Sequence, residues 1–155
     1  MINIILNILA ITISFVAMEF VAWFTHKYIM HGFLWILHKD HHQPNHDHVF
    51  EKNDFFFIIF AIPGILGIVI GIENYNWPFW VGIGISLYGL AYFLIHDLFI
   101  HRRSKLFRNT NSNYLKALRK AHKIHHKNTE KNNGENFGML FFPIKYWKIK
   151  NKLNH

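Results

Sequence analysis

Hydrophobic residues gather along this chain in three long blocks. Residues 3–24 hold a single charged side chain, Glu19. Residues 55–72 and 77–95 hold none, and the last block runs on to Ile100, broken only by His96 and Asp97. A helix rises about 1.5 Å per residue, so about 18–20 apolar residues cross the hydrocarbon core of a bilayer. The blocks predict three transmembrane helices, near 3–25, 55–72 and 77–100, in an all-α integral membrane bundle. Length puts residues 1–155 in one membrane-embedded domain. The first block lacks the basic flank and small-residue cleavage site of a signal peptide.

Three spans place the segment after the first and the segment after the third on one side of the bilayer. All seventeen Lys and Arg residues lie on that side, between Lys27 and Lys152. The connection on the other side, residues 73–76, has no basic residue. The positive-inside rule makes the basic side cytoplasmic, at the inner membrane in a bacterium. Seventeen basic against nine acidic residues give a net charge of +8, which topology already accounts for. Lys116, Arg119, Lys120 and Lys123, with Arg102, Arg103, Lys105 and Arg108, offer a basic surface. Anionic headgroups or an acidic redox protein suit it better than nucleic acid, which is not an expected partner.

Smaller features refine the picture. The second span carries Gly67 and Gly71 in a small-xxx-small pattern, read here as packing within the chain rather than between chains. Residues 109–113 form a polar break before a last helix, and 128–136 read as an exposed loop. Residues 137–147 are apolar and aromatic but too short to span, with Pro143 interrupting them. They are expected at the membrane interface or as a cap over a site, with Tyr146 and Trp147 at headgroup level.

The histidines carry the chemistry. Ten of the thirteen fall into two matched arrays. The first is His26-x4-His31 followed by His38-x2-His41-His42. The second is His96-x4-His101 followed by His122-x2-His125-His126. Residues i, i+3 and i+4 share one face of an α-helix, so each HxxHH box presents three imidazoles together. The HxxxxH spacing fits less well, because five residues turn about 140° past one another at 3.6 per turn. It suits a site packed between helices, or a local distortion. With no cysteine, thiolate sites and Fe–S clusters are excluded. The pattern predicts a histidine-rich, dinuclear metal centre beside the cytoplasmic ends of the spans, under a helical cap.

At these residues the chain resembles the β-carotene hydroxylases of the fatty-acid hydroxylase superfamily. The likeness runs roughly from Glu19 to Pro143. Besides the boxes it rests on Phe50-Glu51-Lys52-Asn53-Asp54, His96-Asp97-Leu98-Phe99-Ile100-His101, Tyr114-Leu115-Lys116, Ala121-His122-Lys123-Ile124-His125-His126, Phe137-Gly138 and Pro143. The resemblance implies hydroxylation of the 3-position of β-ionone rings, β-carotene to β-cryptoxanthin and zeaxanthin. It implies two iron ions held by His26, His31, His38, His41, His42, His96, His101, His122, His125 and His126. O2 is then the co-substrate and a ferredoxin-type protein the electron donor. His46 and His48, in the linker after the second box, depart from the family pattern and are expected in solvent or beside the ligands. His155 is terminal and isolated from the site.

Removing hydrogen from a saturated ring carbon needs an oxidant that side chains cannot supply. Iron among nitrogen ligands can activate O2; zinc binds the same imidazoles, and purified protein can carry it, but zinc has no redox chemistry. Two carboxylates are placed as supporting residues. Asp97 either accepts an imidazole N–H or neutralises the basic stretch after it. Glu19, deep in the first span, needs a buried partner, either a ligand histidine or a polar helix contact. Other superfamily chemistries (fatty-acyl, sterol or sphingolipid hydroxylation, or carotenoid ketolation) share the boxes. Metal transport predicts ionisable residues along the spans, yet the second and third are bare until His96, and haem binding uses at most two histidines per haem.

Overall fold

A computed structural model describes residues 2–43, 51–103 and 109–147. Among them the fold is all-helical. α1 (Ile2–Phe24) runs into a π-helical segment (Thr25–Phe33), and α2 (Trp35–His42) follows. α3 (Asp54–Gly71) and α4 (Trp77–Tyr92) form a hairpin, and α4 continues into a second π-helical segment (Phe93–Ile100). α5 (Asn113–Lys127) and a 3₁₀ turn (Ile144–Tyr146) complete the order. Three of these helices are long and apolar enough to cross a membrane, Ile2–Phe33, Asp54–Gly71 and Trp77–Ile100. The predicted spans match them, except that the first extends through its π segment.

Apolar residues point outward along the spans. Ile4, Ile13, Val69 and Ile70 are each more than 60% exposed, which only a lipid solvent tolerates over such a length. Between lipid-facing helices there is little hydrophobic gain in association, so close packing and polar contacts hold the bundle. α4 lies against both α1 and α3. A Cβ on Gly82 of α4 would lie 2.6 Å from Gly64 O and 2.6 Å from Ile68 N of α3. A Cβ on Gly67 would lie 2.8 Å from Pro78 O. The glycine stripe therefore serves contact within the chain, backbone against backbone.

The polar ends are organised separately. Ser112 caps α5 by accepting from Leu115 N at 3.4 Å, where the polar break predicts a helix start. α5 buries Ala117, Leu118, Ala121, His122 and His125 and packs Leu118 against Phe99 and Ile100. Arg119 turns inward: its guanidinium lies 3.8 Å from the Phe99 ring centre and donates to Phe99 O at 2.9 Å. It is thus a structural tie rather than part of a free basic surface. Tyr146 is buried at 5% exposure. Trp147 is half-exposed and stacks on Phe142.

Gly82→Ala should lower the thermal midpoint in detergent by an amount corresponding to about 1–3 kcal/mol, from overpacking. Gly89→Ala, where a Cβ meets nothing within 4 Å, should leave it unchanged or raise it. Equal midpoints for the two variants would contradict the packing described.

Candidate metal centre

The two π-helical segments resolve the awkward five-residue spacing. His101 N–H donates to His96 O at 3.0 Å, and Leu34 N–H to Ile29 O at 3.0 Å, each five residues back. Widening the turn from four to five residues brings i and i+5 onto one face, a local device that recurs at functional sites. His96 and His101 have ring centres 4.6 Å apart, and His26 and His31 5.3 Å apart. Gly32, at φ −101° and ψ −125°, then breaks the first segment so that α2 can start in a new direction. α2 delivers His38, His41 and His42, all buried, and α5 delivers His122 and His125 buried with His126 half-buried.

These ten side chains converge as two groups. His26, His31, His38, His42 and His125 each offer a nitrogen within 4.8 Å of every other. So do His41, His96, His101 and His122. His126 joins the second group through a 2.8 Å approach of its Nε2 to that of His122. The matched arrays do not map one to a group. The middle histidine of each HxxHH box crosses over, His41 to the second group and His125 to the first. Each array thus gives one histidine to the group formed mainly by the other.

Hydrogen bonds fix which nitrogen faces inward. Backbone carbonyls accept from Nδ1 of His26 (Phe137, 2.9 Å), His31 (Lys131, 2.9 Å), His42 (Asn128, 2.8 Å) and His125 (Glu135, 2.8 Å). A carbonyl only accepts, so these Nδ1 atoms carry the proton and the neutral ring presents a bare Nε2. Asn53 Oδ1 accepts from His38 Nδ1 at 2.6 Å, Glu51 from His41 at 2.7 Å and Asp97 from His96 at 3.0 Å. Of the alternatives for Asp97, contact with an imidazole N–H is the observed one.

The consequence is an arrangement that calls for cations. His38 Nε2 lies 3.1 Å from His26 Nε2 and 3.2 Å from His42 Nε2, with no proton to share. His31, His41 and His125 bury Nε2 atoms that have no hydrogen-bond partner among the described residues. Burial pushes the pKa of His38 down to about 3 and of His42 to about 4. Burial and neighbouring histidines push His101 and His125 to about 2, and move His41, His122 and His126 down in the same way. Protons are therefore not the cations these groups hold. Converging, deprotonated, all-nitrogen donors with oriented outer hydrogen bonds are the chemistry of a transition-metal site.

Glu19 takes the second of its two expected partners, a polar contact between helices. It bonds no histidine: its Oε1 accepts from the backbone N–H groups of Met139, Leu140 and Phe141 at 2.8–3.0 Å, and its Oε2 from Tyr88 Oη at 2.7 Å. Seven residues of helix put Glu19 on the same face as His26 but about 10 Å away along the axis, beyond direct reach. Its effect on the site is indirect. The carboxylate clamps the 137–141 segment over the bundle, and Phe137 O in that segment receives His26. Residues 137–141 thus cap the site. Of the other sequence candidates, His46, His48 and His155 lie outside the described residues. Sequence reading assigned no role to Glu51, Asn53 or Tyr88; two polar side chains immediately before an apolar span were the one available signal for the first two.

Two neighbouring spaces lie at and beside the histidines. A small one, about 20 Å³, is lined by His26, His38, His96 and His122, one from each box, with Tyr92 and Met139. It has room for about one water-sized molecule. A cavity of about 330 Å³ opens beside it between α1, α3 and α4, lined by Met18, Phe56, Phe60, Ile85, Tyr88 and Phe93 among others. Ala22, Met30, Phe60 and Tyr92 line both. Tyr92 also packs its ring on His96, with centres 4.5 Å apart. An apolar chamber within the bundle therefore lies next to a small space walled by histidines of both groups.

Metal-free protein should lose thermal stability as pH falls below about 6.5. The unfolded chain then binds protons that the folded histidines refuse, so stability rises with pH in this range. A midpoint that stays flat between pH 7.5 and 5 would contradict the burial described.

Comparison with known proteins gives a consistent family. Residues 11–147 match the fatty acid hydroxylase family. The chain is 41% identical over 136 residues to a β-carotene hydroxylase of Pseudescherichia vulneris, covering 87% of this chain and 76% of that one. It is 39% identical over 138 residues to the β-carotene hydroxylase of Pantoea ananas, covering 88% and 78%. A chloroplastic β-carotene 3-hydroxylase of Arabidopsis thaliana is 34% identical over 141 residues, 88% of this chain but 46% of that longer protein. No solved structure matches the chain.

Proposed function

The chain belongs to the fatty acid hydroxylase family, and from that premise we propose that it hydroxylates the 3-position of carotenoid β-ionone rings at a two-iron centre. The observation that carries this reading is the apolar chamber that shares Ala22, Met30, Phe60 and Tyr92 with a small space walled by one imidazole from each box. Its relatives in Pseudescherichia and Pantoea are named β-carotene hydroxylases, and one in Arabidopsis a β-carotene 3-hydroxylase. The overall change is C–H + O2 + 2e⁻ + 2H⁺ → C–OH + H2O. Electrons come from an external protein, a ferredoxin-type donor, because the chain has no flavin or nicotinamide fingerprint.

Each group of histidines would hold one iron, His26, His31, His38, His42 and His125 the first, His41, His96, His101, His122 and His126 the second. Iron supplies the redox change that O2 activation requires, which zinc does not. The protein's own residues do the rest. Asn53, Glu51, Asp97 and four backbone carbonyls orient the rings before any metal arrives. The chamber takes a terminal ring out of lipid, its volume being that of small-molecule sites, while the remaining polyene lies along the helices. Phe60 and Tyr92 bound the passage between ring and histidines, so they set which ring carbon comes nearest. The 137–141 cap closes the site on the opposite flank and keeps bulk water from it. Basic residues around the histidine side orient it to the cytoplasm, at the inner membrane of a bacterium.

His41→Ala and His125→Ala should each abolish hydroxylation at equal expression and lower bound metal. Asp97→Asn and Glu51→Gln should weaken metal affinity by about 10–100-fold. Full activity in either alanine variant would remove that histidine from the ligand set. Expression in a β-carotene-producing bacterium should yield β-cryptoxanthin and zeaxanthin by mass and spectrum; a 4-keto product would indicate ketolation instead. With purified protein, Fe(II), O2 and a reducing system should all be required. Turnover with Zn(II) at the iron rate would overturn the mechanism.

A further inference from the structure

α5 presents a second face whose chemistry the histidines do not explain. Lys116, Lys120, Lys123 and Lys127 are all exposed. At 100° per residue they fall within an arc of about 60° and run about 16 Å along the axis. The opposite face buries Leu118, His122 and His125. α5 contains no acidic residue, and none of the four lysines has an ion pair among the described residues. Like charges spaced three and four apart on a helix repel, so this stripe weakens the isolated helix unless something acidic covers it.

The orientation of the stripe selects the occupant. On the inner side, His125 lies 4.5 Å from His26 and His122 4.7 Å from His96, ring centre to ring centre. His26 and His96 belong to the last turns of spanning helices. α5 therefore packs its inner face against the histidine-bearing ends of the spans, with its lysine face on the opposite side. Lipid headgroups flank the bundle; a soluble protein approaches from above it. His126, half-buried on the flank next to Lys127, has its ring 4.6 Å from that of His41 and 4.7 Å from that of His42. One residue at the edge of the stripe thus touches both histidine groups.

We propose that the lysine face of α5 is the docking surface for an acidic, soluble one-electron carrier protein. The proposal rests on the hydroxylase reading, which requires two electrons per turnover. Two carrier molecules, each oxidised by one electron in turn, supply them, and solvent supplies the two protons. A carrier seated there lies one helix diameter, about 10–12 Å, from the ligand set. A single helix face also fits the small contact areas of electron-transfer complexes.

The test uses full-length protein in nanodiscs of neutral phosphatidylcholine, with an acidic [2Fe–2S] ferredoxin and its reductase as the probe. The variants are K116Q/K120Q/K123Q/K127Q and the same four positions changed to Glu. The ferredoxin Kd, measured by direct binding, and its KM should rise about tenfold or more in the first variant, and further in the second. Their dependence on ionic strength should flatten. The KM for carotenoid and turnover driven by a small uncharged mediator should stay at the parent values. An unchanged ferredoxin Kd overturns the proposal, as does an effect seen only in discs containing phosphatidylglycerol, which would assign the lysines to headgroups. Absence of mediator-driven hydroxylation in the parent protein would instead refute the hydroxylase reading, while the Kd comparison would still decide the docking surface.

Discussion

Everything at the polar end of this protein depends on keeping many imidazoles neutral and aimed while they are crowded out of water. Burial lowers their proton affinity, and each charged neighbour would lower it further. Neutral rings have two tautomers, and only one leaves the inward nitrogen bare. The fold selects that tautomer by placing a carbonyl, amide or carboxylate oxygen behind the ring, as at His26, His31, His38, His41, His42, His96 and His125. Four of those oxygens are backbone carbonyls between Asn128 and Phe137. The loop after α5 is thus a scaffold for histidines carried on two other elements, the first π segment and α2, as well as on its own helix.

That loop is held in turn by a carboxylate in the membrane. An ionised Glu19 in a lipid-embedded helix is costly unless fully bonded, and three amides plus a phenol satisfy it. The same bonds draw residues 139–141 down onto α1, which leaves Phe137 O at His26. Glycine contacts between α3 and α4 perform the corresponding task on the other flank, letting α4 carry His96 to the centre while the chamber stays open between α1, α3 and α4. The space beside the histidines is apolar because it is walled by side chains of the spanning helices.

The crossing of His41 and His125 makes the two groups interdependent. Neither array completes a group without a residue from the other, so α2 and α5 must dock together for either to form. The π-helical turns do similar work at shorter range. They convert a five-residue interval, unfavourable on an α-helix, into a shared face at the end of each long span.

The sequence alone determined the three spans, since an unbroken apolar block has no stable place outside lipid or a deep core. It also determined the ten histidines as one chemical unit, since boxes repeated in the same order on one side of the bilayer have few other uses. The HxxxxH interval announced a distortion without saying which, because π-turns are selected by the packing around them rather than by propensity. Assignment of His41 and His125 to the opposite groups was invisible, since it depends on how α2 meets α5 in space. The oxygens behind the rings were mostly hidden for a simpler reason: backbone carbonyls are the same in every residue. Glu19 was legible as a buried carboxylate but not in its partners, which stand 69 to 122 residues away in the chain. Local pattern therefore fixed the kinds of groups present, and only tertiary contact decided which of them meet, because that depends on distances between segments that sequence order does not encode.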